Sequence, residues 1–143
     1  MLSSIGYLFQ WNAGTESRLR QANIETVLIE GLSVIFEVLF DNDDELLTEK
    51  LWNSFTVNGE YRFITDRVVE NLSVEASMPL KVASMHFIGH LMTMVPDEDF
   101  ESKTNFCLSY DLVERVLEEM QRPGYTMRSR QNLLVLLNAI LVK

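Results

Sequence analysis

Between Pro79 and Val95 the chain is apolar at almost every step: Leu80, Val82, Ala83, Met85, Phe87, Ile88, Leu91, Met92, Met94 and Val95. A helix without a polar face has to be enclosed by other helices. The segment therefore predicts a central helix, capped by Ser77, with Pro79 tolerated in the first turn and Pro96 as its stop. Ahead of it, Ile24, Val27, Leu28, Ile35, Val38 and Leu39 recur at helical spacing and predict a long helix from Thr15, a suitable N-cap, to about Phe40. Gly31 falls in its middle, at a kink or a close helix contact. Asn42 with Glu45 resembles a capping box and opens a third helix to about Phe55. After a turn at Val57-Asn58-Gly59, a fourth runs from about Glu60 to Ser73 with Ile64, Val68 and Leu72 on one face.

Met1 to Asn12 predicts a short first helix. Beyond Pro96, the pattern predicts a short helix around Phe100 to Phe106. Another starts at Asp111 with Glu114 and is stopped by Pro123-Gly124, and a last one is capped by Thr126 and runs to Lys143. No stretch alternates with period two, so no sheet is expected and the fold class is all-α, with about seven or eight helices.

Composition narrows this picture. A chain of 143 residues with 47% apolar content is expected to form one helical domain over residues 1–143. The net charge of −9 argues against nonspecific binding to nucleic acid or to an anionic membrane. Val27 to Phe40 is apolar but carries Glu30 and Glu37, and is too short to span a bilayer. Met1 to Trp11 lacks the basic start and small-residue cleavage site of a signal peptide. A single cysteine, Cys107, allows no internal disulfide and no paired-cysteine metal site, which favours a reducing, intracellular location in cytoplasm or nucleus.

The chain also echoes itself. Displaced by 48 positions, Ile64 to Leu72 (ITDRVVENL) lies over Leu112 to Met120 (LVERVLEEM), with Arg67 on Arg115, Val68 on Val116 and Glu70 on Glu118. The same displacement lays Met85, Phe87, Ile88 and Met92 over Leu133, Val135, Leu136 and Ile140. Each half reads as an amphipathic outer helix, a turn with a proline and a strongly apolar inner helix. Paired-helix units are expected over about 15–55, 60–95 and 110–142. This plan resembles the armadillo and HEAT repeat superfamily, whose unit is ~40–47 residues. The resemblance implies a short α–α superhelix of helical hairpins, an α-solenoid that presents a groove or an end face to a protein partner.

No residue pattern points to catalysis or to a cofactor. His86 and His90 stand four apart on one helix face, a zinc-site spacing. The motif is HFIGH, however, so Phe87 occupies the general base's place and no strong third ligand is apparent. Asp41, Asp43 and Glu45 begin like a calcium loop, but Leu46 and Trp52 stand where its glycine and bidentate glutamate belong. Cys107 has no activating neighbour in sequence. Phosphate loops and serine elbows are absent from the sequence. The expectation is a non-enzymatic scaffold, adaptor or regulatory subunit that binds a partner's helix or an extended peptide.

Arg122, Tyr125, Arg128 and Arg130 form a basic, aromatic stretch suited to gripping a protein. Its nucleic-acid reading is the less favoured alternative. Trp52 and Tyr61 flank one turn and are candidate anchors. The last helix, Leu133 to Val142, is apolar almost all round. Its Leu136 face is expected to meet a second copy, a continuing repeat array or the chain's own N-terminal helices.

Overall fold

The computed structural model describes residues 2–14, 17–41, 45–56, 59–73, 76–95 and 99–141. They form eight helices: α1 (Leu2–Ala13), α2 (Arg18–Asp41), α3 (Glu45–Phe55), α4 (Arg62–Glu70), α5 (Met78–Thr93), α6 (Phe100–Ser109), α7 (Leu112–Gln121) and α8 (Met127–Leu141). No strand occurs among the described residues, so the fold is all-α. The expected roles of Thr15, of Asn42 and its acidic turn, of Val57-Asn58, of Pro96 and of Val142-Lys143 lie outside the described residues.

Helix ends follow local chemistry. The Ser17 hydroxyl accepts from the Arg20 amide at 3.3 Å and caps α2. Asp99 accepts from the Ser102 amide at 3.1 Å at the start of α6, and Thr126 accepts from the Ser129 amide at 3.1 Å at the start of α8. Ser77 does occupy the N-cap of α5, but its side chain makes no capping bond. Gly59 is required by space, because a Cβ there would lie 2.1 Å from the Ser54 carbonyl oxygen. Gly124 takes a φ of 95°, the left-handed conformation that glycine supplies at a helix stop. Helix α4 is shorter than its apolar pattern suggests. Its last amides turn to tighter bonds, Leu72 to the Val69 carbonyl, while the Asn71 side chain donates to Glu25 at 3.1 Å.

Helix α5 is the centre, as its composition requires: α2 lies along one flank and α8 along the other. The three run in the same direction. Ala22 and Leu80, near the starts of α2 and α5, line one cleft, and Glu37, near the end of α2, acts electrostatically on His90, near the end of α5. Lys81 in α5 lies over the ring of Tyr125, just ahead of α8, and His86 meets Asn132 one turn further along. Helices α4 and α7 back this row, with α3 packed on α4 and α6 on α7.

The junction of α2, α3 and α5 is aromatic: Phe36, Phe55 and Phe87 meet with ring centres 5.1–5.9 Å apart, and all three are fully buried. Trp52 is 5.4 Å from the ring of Phe106 and joins α3 to α6. Helix α1 is tied to α2 by the Asn12 amide, which donates to the Gln21 carbonyl at 2.9 Å. Its Gly6 lets the ring of Tyr61 approach, since a Cβ would sit 3.3 Å from it.

Candidate interaction surface

Two of the expected contact residues, Trp52 and Leu136, belong to the interior, and a third, Tyr61, is partly covered. Trp52 is buried because α3 turns it towards α6. Leu136 is 1% exposed on a helix that packs against α5 and α7, so its side chain belongs to the core. Tyr61 is half-buried, stacked on Phe55 at 5.4 Å, with its hydroxyl 3.4 Å from that of Ser3. These corrections share one cause. An aromatic or apolar side chain beside a turn is read by pattern as available, whereas the next helix in space decides whether it is covered.

The arginine and tyrosine stretch divides in two. Arg122 and Tyr125 are committed to Glu119: Arg122 Nη1 lies 2.8 Å from Glu119 Oε1, and the Tyr125 hydroxyl donates to Glu119 Oε2. Lys81 Nζ donates to the same Oε2 at 2.8 Å, and its ammonium sits 5.6 Å from the centre of the Tyr125 ring. Glu119 is 0% and Lys81 5% exposed, so this is a buried ionic cluster that clamps α5, α7 and the entry to α8. Burial and the Glu119 carboxylate push the Tyr125 phenol far above its ordinary range, leaving it a neutral donor. Arg128 and Arg130, by contrast, are exposed on α8.

A second ionic contact ties α2 to α4, where buried Glu25 accepts from Arg67 Nε at 3.0 Å and from the Asn71 amide. Beside it a cleft of about 550 Å³ is lined by Arg67, Glu70, Asn71, Ser77 and Arg115. Its charges balance, Arg67 and Arg115 against Glu25 and Glu70, and Arg67 faces both carboxylates. The cleft therefore serves packing of α2, α4 and α5 more than recognition of a charged ligand.

His86 and His90 share a face of α5, as spaced, but they meet polar neighbours of α8 and α2. His86 Nε2 is 3.3 Å from Asn132 Oδ1. His90 is held below the ordinary imidazole range by desolvation, partly opposed by Glu37, with His86 adding to the depression. No group of three His, Cys, Asp or Glu side chains that could hold a metal ion occurs among the described residues. Burial pushes the Cys107 thiol up, with Lys103 partly opposing, so the thiol is a poor nucleophile near neutrality.

A lowered histidine pKa has a thermodynamic consequence. Below about pH 6.5, the ordinary histidine value, the unfolded chain takes up a proton that folded His90 resists, so the stability contribution is intact above that pH and is lost as pH falls below it. Urea midpoints taken from about pH 7.5 to about pH 5.5, across the ordinary histidine range, should fall less for His90→Gln than for the unmodified protein. An identical fall in both would contradict the assignment.

Exposed large apolar side chains occur singly on other helices, such as Leu46 on α3 and Leu108 on α6, and together on α1 (Tyr7, Leu8, Trp11) and on the outer flanks of the three-helix row. On α8, Met127, Leu134, Val135 and Leu141 are exposed; on α2, Val27, Val34 and Val38 are exposed. Leu134 is 51% exposed, two positions from fully enclosed Leu136, so the two faces of α8 are sharply divided. The sequence pattern singles out α8 through Leu136, which the fold buries. The signal for the other side was phase: Leu134 and Leu141 are seven apart, out of step with Leu133, Leu136 and Ile140. No helix among the described residues is long and apolar enough to cross a membrane. Compared with known protein families, with characterised proteins and with solved structures, the chain matches none.

Proposed function

We propose that this chain is a non-catalytic protein-interaction module, an intracellular scaffold, adaptor or regulatory subunit, whose outer helix flanks dock another polypeptide. The observation that carries the reading is the pair of exposed apolar stripes on α2 and α8, set on a row of helices whose interior is already closed. Monomeric soluble domains seldom leave contiguous apolar surface of this kind without a partner for it. The order α3–α4–α5 followed by α6–α7–α8, each ending in an inner helix of the row, supports a short armadillo- or HEAT-like stack, closer to the three-helix form of that superfamily. In such a stack side chains of the inner helices recognise a helix or an extended peptide. The nucleic-acid reading loses ground, because Arg122 is neutralised by Glu119 and only Arg128 and Arg130 of the expected patch stand free of it.

A photo-crosslinking amino acid placed at position 134 tests this directly in living cells. An adduct with a polypeptide is expected from position 134 and not from position 136. Absence of any adduct from 134 would overturn the reading.

A further inference from the structure

The two exposed stripes are complementary in spacing, shape and charge. On α2, Ile24, Val27, Gly31, Val34 and Val38 follow alternating steps of three and four. On α8, Met127, Arg130, Leu134, Leu137 and Leu141 follow the same steps over the same length. Steps of three and four keep one seam of a helix facing a neighbouring helix, side chain into gap. All of these residues are exposed or half-buried. The midpoint of the α2 stripe is Gly31 and the midpoint of the α8 stripe is Leu134. Among the described residues, nothing beyond its own stretch of helix lies within 4 Å of where a Cβ on Gly31 would be. Glycine in a helix interior costs stability, and no contact among the described residues requires it here. With Gly31 set opposite Leu134 in parallel helices, Glu30 beside the α2 stripe and Arg130 in the α8 stripe are three positions apart along the axis, within one helical turn, and are opposite in sign.

The packing within the chain sets the geometry. Helix α2 lies along α5 and α5 along α8, all in one direction, so the row has one free flank on α2 and one on α8. One more side-by-side step of the same kind places an α2 on the free flank of α8. The docking reading above is the premise here, and the occupant is now specified. We infer that a second copy of this chain docks head to tail, its α2 running parallel to α8, with Leu134 seated in the notch at Gly31. Such a contact joins two different surfaces, so it propagates to further copies or closes a ring rather than stopping at a symmetric pair.

Gly31→Leu fills the notch while improving helix propensity, and Leu134→Asp removes the knob at an exposed position, so both variants should fold. Size-exclusion chromatography with light scattering then reads mass. The unmodified chain is expected to exceed two copies at high concentration, and each variant alone to run as one copy. An equal mixture of the two variants is expected to give complexes of two copies only, because Gly31→Leu keeps a sound α8 flank and Leu134→Asp keeps a sound α2 flank.

An unmodified chain of one copy at every concentration would overturn the head-to-tail seat. So would variants that still associate separately, or a mixture that stays single. The crosslink from position 134 separates the two levels. An adduct with a different polypeptide alongside a single-copy chain removes this inference and keeps the docking reading, whereas no adduct at all removes both.

Discussion

Replacing Glu119 with alanine is expected to cost about 3–5 kcal/mol of folding stability, the range for removing one partner of a buried ion pair. The reason is what stays behind. Lys81 is almost fully enclosed and loses its carboxylate at 2.8 Å, the Tyr125 hydroxyl loses its acceptor, and Arg122 loses its ion-pair partner. Against a total of about 5–15 kcal/mol for an ordinary domain, the loss takes a large share. Chemical denaturation should show it as a lower midpoint with an unchanged slope. A combined Lys81→Met, Glu119→Leu and Tyr125→Phe variant removes the charges and the hydroxyl together. It should recover most of the stability, since apolar replacement of a whole buried ionic group is often neutral or better. A small effect of Glu119→Ala alone would show that water reaches Lys81 and that the cluster is not closed.

Leu136→Asp is expected to prevent folding altogether. Losing a buried leucine side chain costs about 2–5 kcal/mol through transfer and cavity terms. An unpaired carboxylate is then added at a site that is 1% exposed, on a helix that packs against α5 and α7. Circular dichroism at neutral pH should report a largely unfolded chain. The neighbouring change Leu134→Asp, on the opposite face of the same helix, should melt within a few degrees of the unmodified protein. If Leu136→Asp instead folded and merely lost association, the division of α8 into a core face and a docking face would be reversed.

The comparison of these two leucines also measures what the sequence reveals. Helical period and breakers located the eight helices of the described residues, and the near absence of a polar face marked α5 as the central one, because both signals are local. Neighbours in space are not local. Phe87 and Val135 match when the chain is displaced by 48 positions, yet Phe87 is enclosed by Phe36 and Val135 is exposed. Helix α5 is flanked on both sides, and α8 on one.

The buried charges were missed for a different reason, although a sign was present. Glu119 follows Leu112 and Val116 on one helical face, and Glu25 precedes Ile29, Leu32 and Phe36 on another. A charged residue in step with an apolar stripe is either an error of pattern or half of a buried pair. Its partners, Lys81 and Arg67, lie 38 and 42 residues away and leave no mark of their own. The expectation that Arg122 and Tyr125 reach outward failed on the same ground: Glu119 claims both.

Sedimentation equilibrium of the unmodified chain over a wide concentration range, at low and at high salt, addresses the account most directly. Apolar stripes with Glu30 set near Arg130 across the seam predict an average mass that climbs with concentration past two copies, and climbs less steeply at high salt. A mass equal to one chain throughout, or one that levels off at a pair insensitive to Gly31→Leu, would contradict it.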